Sequence, residues 1–450
     1  MINPRSSNDP QVRAALSVWD KASTSWEETF SESMRIRTAL RDTSSHHAYG
    51  WAALTSGRIA AYRGEVDLAE VLLTEALGRF CLVGDKYGEG MAMSHLAIPQ
   101  VARRNLDRAL ELALAPLSST APFSDVDKSL LHNGVALCHW AREESHHAIS
   151  HLIREFDLIR NANDFDRTSV VLGNMGVVLL VLGEWELALS ISGKAWHLQL
   201  ANCVDNKKLQ VSQLVNIMLL NCLLGKYEAA LVHGEWLYGR LSETREPSTW
   251  PHFLNLANAF SLNGRTKEAR GCLGRARELN ASIQTEFSIA NLKAADATFH
   301  EAQKDFSSAI RLSKEVLDQP VHIVKRAAHL WSALVVSRSY RKLGRGKESN
   351  KWQEIANEIR HERPLGEIFA SQIQASLRIE PLGDPLTEKE MACLVLSTRG
   401  QTSADIGLKL GITTRTVNFH FAKILRKLNA SNRQEAIAKA VSANLLHASL

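Results

Sequence analysis

A small residue returns about every forty positions along most of this chain: Ala69, Ala109, Ala148, Ala188, Ala230, Ala269, Ala309 and Ser349, at intervals of 40, 39, 40, 42, 39, 40 and 40. Five residues ahead of each stands a turn position, occupied in order by Gly64, Arg104, Glu143, Gly183, Gly225, Gly264, Lys304 and Gly344. Each unit therefore reads as helix, tight turn, helix. The small residue sits on the second helix, where a larger side chain would hold the two backbones apart. One hairpin of this kind cannot bury its apolar face alone. An all-α fold is expected, a superhelical solenoid of about eight helix-turn-helix repeats.

Within the repeats, LGEWELA (Leu182 to Ala188) and LGKYEAA (Leu224 to Ala230) resemble tetratricopeptide repeats, and the resemblance covers roughly Ala48 to Glu362. The period near 40 exceeds the roughly 34 residues usual for that family and approaches that of HEAT-type pairs. Longer helices on tetratricopeptide geometry are the favoured reading. Residues 1–45 read as capping helices with Trp19 and Trp26 as packing residues, and residues 46–362 as the solenoid. Nine residues ahead of Gly183, Gly225 and Gly264 stand Asn174, Asn216 and Asn255, with Asn258 one helical turn beyond the last. The resemblance implies that this register lines a concave groove, where the amides would hold a small molecule, peptide or protein. The plainer reading, that asparagine is common there with or without a ligand, stays open.

The pattern breaks at Arg363-Pro364-Leu365-Gly366, and a further helix runs to about Arg378. Two prolines and a glycine between Ile379 and Pro385 cannot continue it, so residues 363–385 read as helix and linker. Residues 386–450 then hold four helix patterns. Capping boxes open the first at Thr387–Glu390 and the last at Ser431–Gln434. At the centre, Thr402 and Thr413 are hydroxyl residues able to cap two short helices joined at Gly411. Val417, Phe421, Ile424, Leu425 and Leu428 form one apolar stripe on the second of these helices. Its opposite face carries Arg415, Asn418, Phe419, Ala422, Lys423 and Arg426. Charge is distributed accordingly. Of 53 Lys+Arg and 48 Asp+Glu, residues 381–450 hold 9 and 5, net +4, which leaves 44 and 43, net +1, for the rest. The positive excess lies beside this helix pair, where a phosphate backbone would need it.

From Leu386 to Ala440 the sequence resembles the DNA-binding domain of the LuxR/FixJ family. The matching residues are Leu386, Thr387, Glu390, Gly400, Thr402, Ile406, Leu410, Ile412, Thr416, Val417, His420, Lys427, Leu428, Arg433 and Ala436. It departs from the pattern at Asp405, at Gly407 where alanine is usual, and at Asn444 where glycine often ends the last helix. The resemblance implies that Asn418, Phe419 and Ala422 read base edges. Thr414, Arg415, Thr416, Lys423, Arg426, Lys427 and Arg433 would contact phosphates. Ile437, Val441 and Leu445 on the fourth helix would pair two chains on an inverted-repeat operator.

Other chemistry is not indicated. Cys81, Cys138, Cys203, Cys222, Cys272 and Cys393 are scattered without a CxxC pair, so neither a zinc knuckle nor a disulfide framework is expected. His139, His146, His147 and His151 crowd one repeat, but no converging third or fourth ligand is visible, so no metal is expected. GRTKEA and GRGKES sit at repeat turns and do not fit a phosphate-binding loop. Neither an apolar signal segment nor a stretch of roughly 20 apolar residues is present, so a cytoplasmic, membrane-free protein is expected. The expected whole is a bacterial transcription regulator: a MalT-type tetratricopeptide-like solenoid controlling a LuxR-type reader. It would act as a homodimer, with duplex DNA and RNA polymerase as partners and no cofactor or catalytic residue. The competing reading is an interaction scaffold whose C-terminal helices only dimerise.

Overall fold

The computed structural model describes residues 7–21, 26–160, 164–201, 207–241, 249–281, 284–320, 326–361, 373, 386–398 and 400–442. Among them the regular elements are helices and there is no strand. The chain divides into two units, Met1–Asp164 and Phe165–Leu450. The first opens with α1 (Pro10–Lys21) and α2 (Trp26–Leu40). Three antiparallel hairpins follow: α3 (His46–Arg63) with α4 (Val66–Val83), α5 (Lys86–Ala102) with α6 (Leu106–Leu114), and α7 (Asp125–Ala141) with α8 (Ser145–Ile159). The second holds five more: α9 (Phe165–Val181) with α10 (Trp185–Ala201), α11 (Lys207–Leu223) with α12 (Tyr227–Leu241), α13 (Trp250–Leu262) with α14 (Thr266–Asn280), α15 (Glu286–Ala302) with α16 (Phe306–Leu317), and α17 (Arg326–Lys342) with α18 (Gly346–His361). Four shorter helices, α19 (Glu388–Thr398), α20 (Ser403–Leu410), α21 (Thr414–Lys427) and α22 (Arg433–Ser442), end the described chain.

The eight hairpins are the eight repeats. All eight turn positions have left-handed backbone, with φ between 62 and 83°. Each turn closes in the same way. In the sixth, Gly264 N–H donates to the Ser261 carbonyl and Arg265 N–H to the Phe260 carbonyl, both at 2.9 Å. Glycine adopts this conformation freely, whereas Arg104, Glu143 and Lys304 hold it at a cost of about 1 kcal/mol each. Every one of the eight small residues is fully buried, as close contact between paired helices requires.

In the first unit, α1 seats Val12, Ala15, Leu16 and Trp19 on the hairpins, and Trp19 meets Trp51 edge to face at 5.7 Å. The side chain of Trp26 lies outside the described residues. In the second, the first helices of successive hairpins pack on one another from α9 through α17 and so line one side. The fifth hairpin of this unit reaches back to its first. Arg360 on α18 donates to the Gly183 carbonyl at 2.8 Å and to Glu186 at 3.1 Å, and its guanidinium lies 3.9 Å over the Trp185 ring. A side chain at 183 would bring its Cβ within 2.5 Å of the Arg360 carbonyl oxygen. Glycine is thus required there for contact as well as for conformation. The expected linker, 363–385, falls outside the described residues except for Ile373, which is buried. No helix among the described residues is long and apolar enough to cross a membrane.

Candidate nucleic-acid interface

The reader is built outward from a small core. Leu386, Met391, Leu394, Ile406, Val417, Phe421, Ile424, Leu428, Ala436 and Ala440 are buried together, so four helices of no more than 14 residues share one apolar centre. Caps define their ends. Thr402 accepts from Asp405 N–H at 3.3 Å and Asp405 accepts from Thr402 N–H at 3.0 Å, a complete capping box at the start of α20. Gly411 ends that helix at φ 65°, and Thr413 caps α21 by accepting from Thr416 N–H at 3.1 Å. Gly407 explains its own departure from alanine, because a Cβ there would lie 2.7 Å from the Ile412 carbonyl oxygen in the turn. The last helix starts one residue later than its sequence suggested. Asn432 accepts from Glu435 N–H at 2.9 Å, and Ser431 N–H donates to Glu435 at 2.7 Å, so Glu435 takes the place expected of Gln434.

On α21 the apolar stripe faces inward and leaves Thr414, Arg415, Asn418, Phe419, Ala422 and Arg426 exposed, with Thr416 and Lys423 half-buried. Phe419 is 57% exposed, an unusual state for a phenyl ring unless a partner covers it. The Lys423 ammonium sits 4.5 Å over that ring, which tethers a cation beside an uncharged patch. Asn418, Phe419 and Ala422 thus share one solvent face flanked by Arg415, Lys423 and Arg426. His420 is half-buried at the edge of the stripe, and burial lowers its pKa.

Two cations that sequence places with the phosphate set are directed into the domain instead. Lys427 donates to Glu390 at 2.7 Å, with the carboxylate 2% and the lysine 12% exposed. The same Glu390 oxygen accepts the Thr387 N–H at 2.8 Å, so one atom joins the start of α19 to the end of α21. Arg433 lies over the Phe421 ring at 4.3 Å and donates to Ser397 and, at 2.7 Å, to the Gln401 carbonyl. On α22, Ile437 is half-buried against the core. The Val441 side chain and Leu445 lie outside the described residues.

The solenoid meets this reader through groups that no sequence motif marks. His197 on α10, buried, donates from Nε2 to the Leu386 carbonyl at 3.1 Å. Burial lowers its pKa to about 4, so the ring is neutral at pH 7. The Trp236 indole of α12 donates to Glu388, and Trp236 meets Trp196 edge to face at 5.5 Å. On the first helices of the same hairpins, α9 and α11, Asn174 is exposed and Asn216 half-buried. Farther along, on α13, Asn255 is half-buried, while Asn258 is buried with its Oδ1 unbonded.

Residues 384–440 match the model of the bacterial regulatory proteins of the luxR family. Over 74 residues the chain is 43% identical to the transcriptional activator protein AhyR of Aeromonas hydrophila, a stretch covering 16% of this chain and 28% of AhyR. The chain therefore spans little more than a quarter of that relative. Among solved structures, a Rap protein complexed with competence and sporulation factor is similar with a TM-score of 0.53 at 12% identity, covering 79% of this chain and 99% of that one. The apo quorum sensor NprR from B. thuringiensis gives 0.50 at 14% identity, covering 77% and 98%. The C-terminal module is a LuxR-type helix-turn-helix, and the repeats form a tetratricopeptide-like solenoid of the kind those two structures contain.

Proposed function

We propose that this protein is a DNA-binding transcription regulator whose repeat solenoid, residues 46–362, controls the reader, residues 386–450. One observation carries the reading: an exposed, uncharged patch of Asn418, Phe419 and Ala422, ringed by Arg415, Lys423 and Arg426, on the second helix of a helix-turn-helix. Asn418 suits bidentate bonding to adenine, and Phe419 and Ala422 suit contact with a thymine methyl. The cations, with Thr414 and Thr416, hold phosphates and set register without reading sequence. Pairing through α22 at Ile437, Val441 and Leu445 would place two readers on an inverted repeat, with RNA polymerase as the further partner.

Control runs through the seam. A ligand on the asparagine row of α9, α11 and α13 would shift hairpins whose outer helices, α10 and α12, hold Leu386 and Glu388. From there Glu390 and Lys427 lead directly to α21. The Rap structure was solved with competence and sporulation factor, but that likeness is one of fold. The ligand class here, a peptide or small molecule with carbonyl or carboxylate groups, rests on the amides themselves.

Selection of bound duplexes from a random pool, followed by anisotropy titrations, tests the reader. Asn418→Ala is expected to relax preference at particular bases by about 1–3 kcal/mol. Lys423→Ala is expected to weaken binding to all sequences and reduce the salt slope by about 1. Absence of salt-dependent duplex binding in the parent would instead leave a scaffold with a dimerisation module.

A further inference from the structure

We propose that the α7–α8 hairpin binds one divalent transition-metal ion through His139, Glu144 and His147, with His151 completing the set. One donor atom from each of the first three residues lies within 4.8 Å of the other two. His139 and Glu144 already touch at 2.6 Å, Nδ1 to Oε2. The His139 and His147 rings stack with centroids 5.0 Å apart, and the His139 and His151 rings at 5.6 Å. Behind them, His132 Nδ1 lies 2.9 Å from His151 Nδ1, the place of an outer partner that fixes a ligating ring. Arg142 occupies the other oxygen, Oε1, of Glu144 at 2.9 Å and leaves Oε2 to face the imidazoles.

Another repeat separates this cluster from ordinary turn chemistry. In the α15–α16 hairpin His300 contacts Asp305 at 3.1 Å, in the register of His139 and Glu144. A histidine bonded across the turn to a carboxylate is thus a device this repeat uses without any ion. The positions matching His147, His151 and His132 are there Ser308, Leu312 and Lys293. Only the α7–α8 hairpin, of these two, surrounds the pair with three further imidazoles. His147 and His151, four apart on α8, present their rings on one side of that helix. Lys and Arg are far commoner than His on solvated helix faces, and a nitrogen-rich set with one carboxylate suits Zn2+ or Ni2+ rather than Mg2+ or Ca2+. Tetrahedral ligation at about 2.0–2.2 Å asks the His139–Glu144 contact to open slightly and the His147 ring to swing inward. That ring is exposed, so the swing breaks only its stacking on His139. Cys138, adjacent in sequence, is buried in the apolar core and is no ligand.

The test uses the full chain, stripped with a chelator and titrated with Zn2+ in competition with a chromophoric chelator at pH 7.5. Co2+ absorption reports the geometry. One equivalent is expected to bind, with tetrahedral Co2+ bands. His147→Ala, on an exposed side chain, should weaken binding by more than about tenfold. His139→Gln checks the buried ligand, with circular dichroism confirming the fold. His300→Ala should leave affinity unchanged. An affinity equal in the parent and in His147→Ala, an equal loss in His300→Ala, or no saturable binding would each overturn the proposal.

Discussion

At the scale of single residues, the eight turns give the sharpest reading. Gly64, Gly183, Gly225, Gly264 and Gly344 accept left-handed backbone freely, and Arg104, Glu143 and Lys304 accept it under strain. Lys304 is exposed, and its φ of 65° lies in the region that a side chain's Cβ disfavours. Lys304→Gly is therefore expected to stabilise the protein by about 1 kcal/mol, read as a rise in denaturation midpoint. Gly264→Ala, at the same turn position, should lose a similar amount. The positions were legible from spacing alone, including those where glycine is absent, because a forty-residue period survives substitution at any one turn. The metal-type cluster was less legible. Its histidines were visible, but Glu144 joins them only once the turn folds back.

At the scale of elements, α21 was legible almost completely: its cap at Thr413, its buried stripe and its exposed uncharged centre all follow from 3.6-residue periodicity. Periodicity does not say where a long side chain goes. Lys427 and Arg433 were grouped with the phosphate contacts by sequence, yet Lys427 closes on buried Glu390 and Arg433 caps Phe421. Lys427→Met should therefore destabilise the reader by about 3 kcal/mol, since it leaves a buried carboxylate without its cation and with only the Thr387 N–H to bond it. Arg426→Ala should change stability by less than about 0.5 kcal/mol. Denaturant unfolding of both variants distinguishes a structural lysine from a surface one. DNA affinities of Lys427 variants then need correction for the folded fraction. The start of α22 moved by one residue for a similarly local reason, because Asn432 and Ser431 are both competent caps and Glu435 serves them together.

At the scale of the whole chain, the seam between solenoid and reader was illegible, as its main bond joins residues 189 positions apart. It predicts a pH response. The folded pKa of His197, about 4, lies below the ordinary value near 6.5, so the folded state binds fewer protons between those values. Its contribution is complete above pH 6.5 and is lost as pH falls toward 4, at most a few kcal/mol. His197→Gln, which does not titrate, should therefore narrow its stability difference from the parent across that window by about 1.4 kcal/mol per pH unit. Parallel profiles in the two proteins, followed by thermal melts, would show that His197 does not govern the response.

Open solenoids grow and shrink by duplication, because each repeat answers only to its neighbours. The grip of Arg360 on Gly183, Trp185 and Glu186 removes that freedom from the five hairpins of the second unit. A sixth hairpin would carry Arg360 past its seat, and a unit of only four would leave it short. Here the repeat number is a locked quantity. Descendants of this chain can change what the inner helices recognise far more readily than how many of them there are.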